Sequence, residues 1–274
     1  MKIALIQMSV GIDKKDNIAV MENYLKAAGE EGADIAVLPE MFNCPYSNKY
    51  FANYAEKAGG ETYTALSQSA LSNNIYLIGG SIPERDGDEI YNTSYVFDRN
   101  GKEIARHRKV HLFDIDIKGG QRFFESETFK AGEEITVFDT EFGKMGLILC
   151  FDIRFPEICR LTAMGGAKVL FVPAAFNMTT GPMHWEITFR LRAVDNQLFT
   201  VGASSARDED GVYVSYGNSI TVDPWGKILY RADAEETMGI VEVDLSEIER
   251  VREQLPLIKA MRNDIYTIEE KQSK

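Results

Sequence analysis

The chain has 274 residues, 45% of them hydrophobic and 26% charged, ordinary values that allow one globular α/β domain. Its net charge of −12 speaks against nucleic acid or an anionic membrane surface as a partner, because both call for a basic patch; no run of about eighteen apolar residues is present to span a bilayer. Cysteine is scarce: Cys44, Cys150 and Cys159 make an odd, low count that points to reduced thiols in a cytoplasmic compartment.

Met1–Gln7 opens on a strand, Ile3 to Met8, rather than on a secretory signal. Asp13 is placed to cap a helix to about Glu31, with Ile18, Met21, Leu25 and Ala28 on one face. Gly32 stops it, and Ala33 to Leu38 reads as a buried strand ended by Pro39-Glu40. The polar, aromatic loop Met41–Tyr46 follows, then a helix from about Thr62 to Asn74 and a strand from Ile75 to Gly79. Tyr91–Phe97 and Lys102–Arg106 flank Asn100-Gly101, a strong hairpin signal. Val110 to Glu134, with Gly119-Gly120 inside it, is irregular; so long a structureless stretch is uncommon and often functional.

Ile135–Phe138 and Met145–Leu149 read as strands, the second running to Cys150. Pro156 suits the first turn of a helix reaching about Met164. Strand Val169–Pro173, loop Ala174–Pro182 and a helix from about His184 to Asn196 come next. Phe199–Ala203, Gly217–Val222, Lys227–Tyr230 and Gly239–Val243 are strands, and Ser246 begins a helix to about Leu255. No linker, low-complexity tract or charge block divides the chain. It reads as one domain, 1–274, with 256–274 a tail. Ile3–Gln7, helix, Ile35–Leu38, Pro39 is echoed by Met145–Leu149, helix, Val169–Val172, Pro173. Two such βαβ units predict an α/β fold: a four-layer α-β-β-α sandwich of two packed mixed sheets with helices outside.

Cys150 ends a strand, where open α/β sheets place reacting groups; equally, a free cysteine can be an apolar filler. As a nucleophile it needs a base or a nearby cation. The three histidines, His107, His111 and His184, allow a Cys–His pair, although His107 reads as exposed among charges and His184 as an ordinary helix start. Glu40, just past a strand and a proline, is either a solvated loop charge or a working acid. Lys109 is either a surface charge or an ammonium donor to an oxyanion.

Leu38-Pro39-Glu40, Arg108-Lys109-Val110-His111-Leu112 and Leu149-Cys150-Phe151-Asp152-Ile153-Arg154 resemble the three motifs of the nitrilase superfamily of carbon–nitrogen hydrolases. Three motifs in order are far more specific than any one. Phe113–Asp116, Phe124–Ser126, Ala175–Glu186 and Arg192–Gln197 are similar to the omega-amidase branch, which removes ammonia from the terminal amide of 2-oxoglutaramate and 2-oxosuccinamate.

The resemblance implies Glu40, Lys109 and Cys150 as catalytic residues, Glu125 as a second active-site glutamate, and the Phe151 N–H as oxyanion donor. It puts His111, Arg154, Phe176, Thr180 and Tyr46 around the substrate, with no cofactor and no metal. Arg154 offers a planar fork for a substrate carboxylate; its other reading is a pair with Glu157 or Asp152. Phe176 can wall off water or pack in the core. The resemblance also implies a homodimer, with the partly apolar tail Leu255–Ile268 a candidate for crossing between subunits or packing on its own domain. The alternatives are an amidase for another small amide, such as deaminated glutathione or an N-carbamoyl amino acid, and a non-catalytic binding protein.

Overall fold

The computed structural model describes residues 1–118 and 122–271. The chain runs β1 (Lys2–Gln7), α1 (Lys14–Glu30), β2 (Ile35–Val37), α2 (Asn48–Tyr54), α3 (Glu61–Asn73), β3 (Tyr76–Ile78), β4 (Ile82–Asp86), β5 (Glu89–Phe97) and β6 (Glu103–Arg108). A short antiparallel pair follows, β7 (Asp114–Asp116) and β8 (Arg122–Phe124), then β9 (Thr136–Thr140) and β10 (Gly143–Leu147). The remainder is α4 (Pro156–Met164), β11 (Val169–Ala174), α5 (Gly181–Asn196), β12 (Phe199–Ser204), β13 (Ile220–Val222), β14 (Ile228–Arg231), β15 (Thr237–Glu242) and α6 (Ser246–Gln254).

Two mixed sheets result. One is ordered β15-β1-β2-β3-β5-β4, with β6 on β5; the other is β14-β13-β12-β11-β10-β9. The predicted echo is real: β1 pairs parallel with β2, Ile3 opposite Ile35, and β10 pairs parallel with β11, Met145 opposite Val169. Because strand side chains alternate, each sheet has two apolar faces to cover. Ile3, Leu5, Val37 and Val96 of the first sheet meet Met145, Leu147, Phe171 and Val201 of the second in the central layer. On the outer side of the first sheet, Met21, Leu25 and Ala28 of α1 pack with Leu66 and Ala70 of α3; on that of the second, α4 and α5 contribute Ile158, Trp185 and Phe189. The four-layer sandwich is therefore as expected.

Asp13 caps α1, its carboxylate accepting from the Lys15 N–H at 2.7 Å. Several boundaries differ from the sequence reading. Strand β4 and helix α2 were not anticipated: the Ile-Pro-Glu-Arg-Asp run alternates poorly, and α2 is only two turns long. The irregular 110–134 stretch contains β7, β8 and a short 3₁₀ turn, Glu125–Glu127; Gly119 and Gly120 lie outside the described residues. The strand expected from Gly217 begins at Ile220, because Gly217 has φ +70 and Asn218 φ +61. His107 is buried, not exposed. Ile258 of the tail packs against the α4–α5 layer, while Ile265 and Tyr266 remain 68% and 47% exposed. Among the described residues, no helix is long and apolar enough to cross a membrane.

Candidate active site

Glu40 follows the buried end of β2. Leu38 still donates to the Ile78 carbonyl at 3.1 Å, and then the chain turns sharply, with Met41 at φ +54 and its N–H on Ser81 Oγ at 3.0 Å. The turn is cramped: a Cβ on Gly80, which itself has φ +57, would come 2.2 Å from the Pro39 carbonyl oxygen. Glu40 is thereby aimed into the interior, 1% exposed.

Lys109 leaves the end of β6 and is fully buried. Its N–H donates to the Asn92 carbonyl at 2.9 Å, and its carbonyl accepts from Gly132 at 2.8 Å, so the backbone is held on both sides. The ammonium stands 2.8 Å from Glu40 Oε1 and 2.9 Å from Glu125 Oε2. Glu125 starts the 3₁₀ turn and accepts from the Phe113 N–H at 2.6 Å and from the Tyr46 hydroxyl at 2.5 Å. Tyr46 also reaches Glu40 Oε1 at 3.4 Å and takes a contact from Lys109 at 3.3 Å.

Cys150 lies beyond β10, at the start of a 3₁₀ turn, Cys150–Arg154. Its φ of +42 is a left-handed conformation that costs a non-glycine residue about 1–2 kcal/mol and that recurs at functional sites. As in any helical turn, the first N–H groups, that of Phe151 among them, have no intrahelical acceptor.

The charges are coupled. Burial pushes the Glu40 carboxyl above its usual range; Lys109 pulls it down and Glu125 pushes it up. Burial disfavours the Lys109 ammonium, but Glu125 and Glu40 outweigh that and hold its proton more firmly than usual. Burial and Glu40 push the Cys150 thiol well above the usual cysteine value, against the opposing effect of Lys109 and a backbone hydrogen bond at Ala175. The sulfur thus holds its proton until a base takes it. Glu40 has capacity for that: among the described residues its Oε2 has no hydrogen-bond partner, and the thiol lies beside it.

Arg154 ends the nucleophile turn. Neither Glu157 nor Asp152 pairs with it; instead its Nη1 meets His184 Nδ1 at 3.0 Å, and its guanidinium lies over the Phe176 ring at 4.6 Å. Among the described residues it has no acidic partner. Phe176 packs edge-on against Trp185 at 5.1 Å in the core, which is the packing reading, while its ring lies under the Arg154 guanidinium. Thr180 is the N-cap residue before α5, its hydroxyl and N–H both donating to Asn177 Oδ1, at 3.1 and 3.0 Å. His111 is half-buried, stacked on Phe155 at 3.7 Å with Nδ1 against Asp152. Glu40, Lys109, Cys150, Glu125 and Tyr46 converge, with Phe151 and Arg154 on the adjoining turn; His111 and Thr180 have local partners of their own.

Two residues of this constellation were missed in the sequence. Asn92 donates to Glu40 Oε1 at 2.9 Å and to Glu125 Oε1 at 3.4 Å. Its signal was the polar run Asn92-Thr93-Ser94 in mid-strand, which a core accepts only with partners. Tyr213 packs against Tyr46 with centroids 4.8 Å apart and the rings tilted by 38°, and donates to the Ala175 carbonyl at 2.6 Å. It comes from an acidic loop with no distinguishing pattern. A cavity of about 220 Å³ reaches Glu40, Tyr46 and Ala175, with Tyr213 and Asp208 on its loop side.

The carbon-nitrogen hydrolase family model matches residues 2–253. The chain is 46% identical to the omega-amidase of Mus musculus over 270 residues, 98% of each chain. The solved Nit3 of Saccharomyces cerevisiae, a member of branch 10 of the nitrilase superfamily, superimposes with a TM-score of 0.88 at 41% identity, over 96% of each chain. A variant of the amidase from Nesterenkonia sp. AN1, with the acetamide moiety of fluoroacetamide on its active-site cysteine, superimposes with a TM-score of 0.80 at 26% identity, over 97% of this chain and 95% of that one.

Proposed function

The chain belongs to the carbon–nitrogen hydrolase family, and on that premise we propose that it is an omega-amidase. It hydrolyses the terminal amide of short 2-oxo dicarboxylic acid monoamides, 2-oxoglutaramate and 2-oxosuccinamate, to the acid and ammonia. The observation that carries the reaction class is one buried ammonium, Lys109, between two carboxylates, of which Glu40 has an oxygen with no partner among the described residues besides the thiol beside it. The covalent adduct on the cysteine of the Nesterenkonia amidase supports the nucleophile assignment.

Glu40 takes the thiol proton as Cys150 sulfur attacks the amide carbonyl, forming an S–C bond and an oxyanion. Lys109 and the Phe151 N–H stabilise that oxyanion. When it collapses, the C–N bond breaks and Glu40 returns the proton to the departing nitrogen. Water, losing a proton to Glu40, attacks the thioester; the C–S bond breaks, the acid leaves, and the proton returns to sulfur. Glu125, with both oxygens engaged by donors, orients Lys109, and Tyr46 and Asn92 tie the two glutamates together. Arg154, without an acid of its own, binds the distal carboxylate, with His111, Phe176 and Thr180 completing the surroundings.

The test is ammonia release from a panel of small carboxyl-amides. 2-Oxoglutaramate is the preferred substrate, and Cys150→Ala abolishes its turnover; equal turnover by the variant overturns the mechanism. Preference for deaminated glutathione or an N-carbamoyl amino acid keeps the chemistry and replaces the substrate.

A second copy of the chain is the expected partner. Met183, Ile187 and Leu191 make an apolar stripe on α5 beside Trp225, exposed by 74%, 64%, 48% and 56%, the kind of contiguous apolar surface that marks an interaction site. With the exposed end of the tail, this supports a homodimer, which sedimentation equilibrium measures directly. The three unpaired cysteines, one of them the nucleophile, suit the reducing cytoplasm.

A further inference from the structure

Asp152 sits two residues after Cys150, is fully buried, and takes no part in the steps above. Its Oδ2 accepts from the Leu149 N–H and from His107 Nε2, each at 3.1 Å. Its Oδ1 accepts from the backbone N–H and from Nδ1 of His111, each at 2.8 Å. Burial would raise its pKa, but hydrogen bonds from His107 and His111 outweigh that and hold the carboxyl well below the usual range. It is therefore an ionised acceptor, and both histidines present an N–H to it.

The sequence positions of its donors are what matter. His107 and His111 stand two residues before and two residues after Lys109, and Leu149 immediately precedes Cys150. The His111 ring is fixed a second time, stacked on Phe155 with 9° between planes, and Phe155 closes the nucleophile turn through its N–H to the Asp152 carbonyl at 3.0 Å. Far in sequence, the lysine strand and the cysteine turn thus meet at one side chain.

We propose that Asp152 is a positioning residue of this active site, a clasp that joins His107 and His111 to the Cys150 turn and so sets the spacing between the Lys109 ammonium and the sulfur. The inference rests on the reading of Lys109 and Cys150 given above. An oxyanion donor acts only where charge develops, so a misplaced ammonium costs transition-state stabilisation more than ground-state binding.

The experiment compares the full-length protein with Asp152→Asn and His111→Ala. The first turns an N–H donor toward N–H donors; the second removes one side-chain arm and leaves the backbone bond. For variants with a cooperative thermal transition, steady-state kinetics with 2-oxoglutaramate and the rate of Cys150 alkylation by iodoacetamide are measured. A displacement on the order of 1 Å predicts a kcat loss of about 100-fold for Asp152→Asn, with KM within about threefold, and of about 10-fold for His111→Ala, whose KM also reports its place beside the substrate. The alkylation rate shifts by about fivefold or more, because the sulfur changes its neighbours. If Asp152→Asn does not fold, His111→Ala carries the same readouts. A kcat and an alkylation rate both within about twofold of the parent, or for Asp152→Asn a loss confined to KM, overturn the clasp. If the parent protein releases no ammonia from any amide, the functional reading fails, and the alkylation rates alone decide the clasp.

Discussion

Glu40 and Glu125 share the Lys109 ammonium, at 2.8 and 2.9 Å, yet they are not equivalent: both oxygens of Glu125 accept from donors that take no part in the chemistry, whereas Glu40 Oε2 has no partner among the described residues besides the thiol beside it. A carboxylate fully engaged by donors is suited to holding a geometry. One with an oxygen to spare, beside a thiol that keeps its proton, is suited to moving one. The division of labour between two chemically identical side chains follows from their hydrogen bonds.

Glu40 therefore sets the acid limb of the pH profile. Burial raises its pKa, Lys109 opposes, and Glu125 adds to the rise. A base works only when ionised, so activity falls as pH drops through the folded-state value, which lies above the ordinary 4.5. The expected outcome is an acid-side midpoint of kcat/KM above 4.5; a midpoint at or below it contradicts the assignment. Glu40→Gln removes the limb together with about 10²–10⁴-fold of kcat.

Arg154→Lys separates binding from chemistry. Lysine keeps the charge but loses the planar fork and the stacking over Phe176. KM for 2-oxoglutaramate is expected to rise about 10- to 30-fold, the equivalent of roughly 1.4–2 kcal/mol, with kcat nearly unchanged. A short amide without a carboxylate should be indifferent. An equal loss on both substrates would remove Arg154 as the carboxylate clamp.

Gly80 tests how the Glu40 turn is held. Alanine there meets two obstacles, a φ of +57 and the Pro39 carbonyl oxygen 2.2 Å from the new Cβ. Gly87 offers a control, since it has φ +60 and nothing within 4 Å of a Cβ. Gly87→Ala should cost about 1–2 kcal/mol in urea unfolding, the conformational penalty alone. Gly80→Ala should cost on the order of 3 kcal/mol or more and lower kcat, because relief of the clash moves the segment that carries Glu40. Equal costs for the two would show that the turn gives way freely.

Much of the frame was legible in the chain because it follows from local chemistry. Apolar runs of strand length, the Asp13 cap, the Asn100-Gly101 hairpin signal and Pro156 opening a helix act over a few residues, and each element formed close to its expected bounds. The Ile82–Asp86 strand escaped because a proline and three charges obscure its alternation; Arg106 and Arg108 pair with Glu84 and make that pattern tolerable inside a sheet. Tyr46, expected beside the substrate, also joins the two glutamates, a role that only the tertiary contacts reveal. Tyr213 carried no local signal, because its role depends on a loop meeting Tyr46 across 167 residues.

What the sequence by itself determined is the order of three reactive segments, two βαβ units and the residue types able to do amide hydrolysis. Only the tertiary structure decided which charges face one another. Burying Lys109 is tolerable only when two carboxylates from distant segments surround it, and burial with Glu40 alongside makes the Cys150 thiol hold its proton against the pull of the Lys109 charge. Hydrogen bonds across the closed site, not spacing along the chain, distinguish the glutamate with an oxygen free to take a proton from the one that is held.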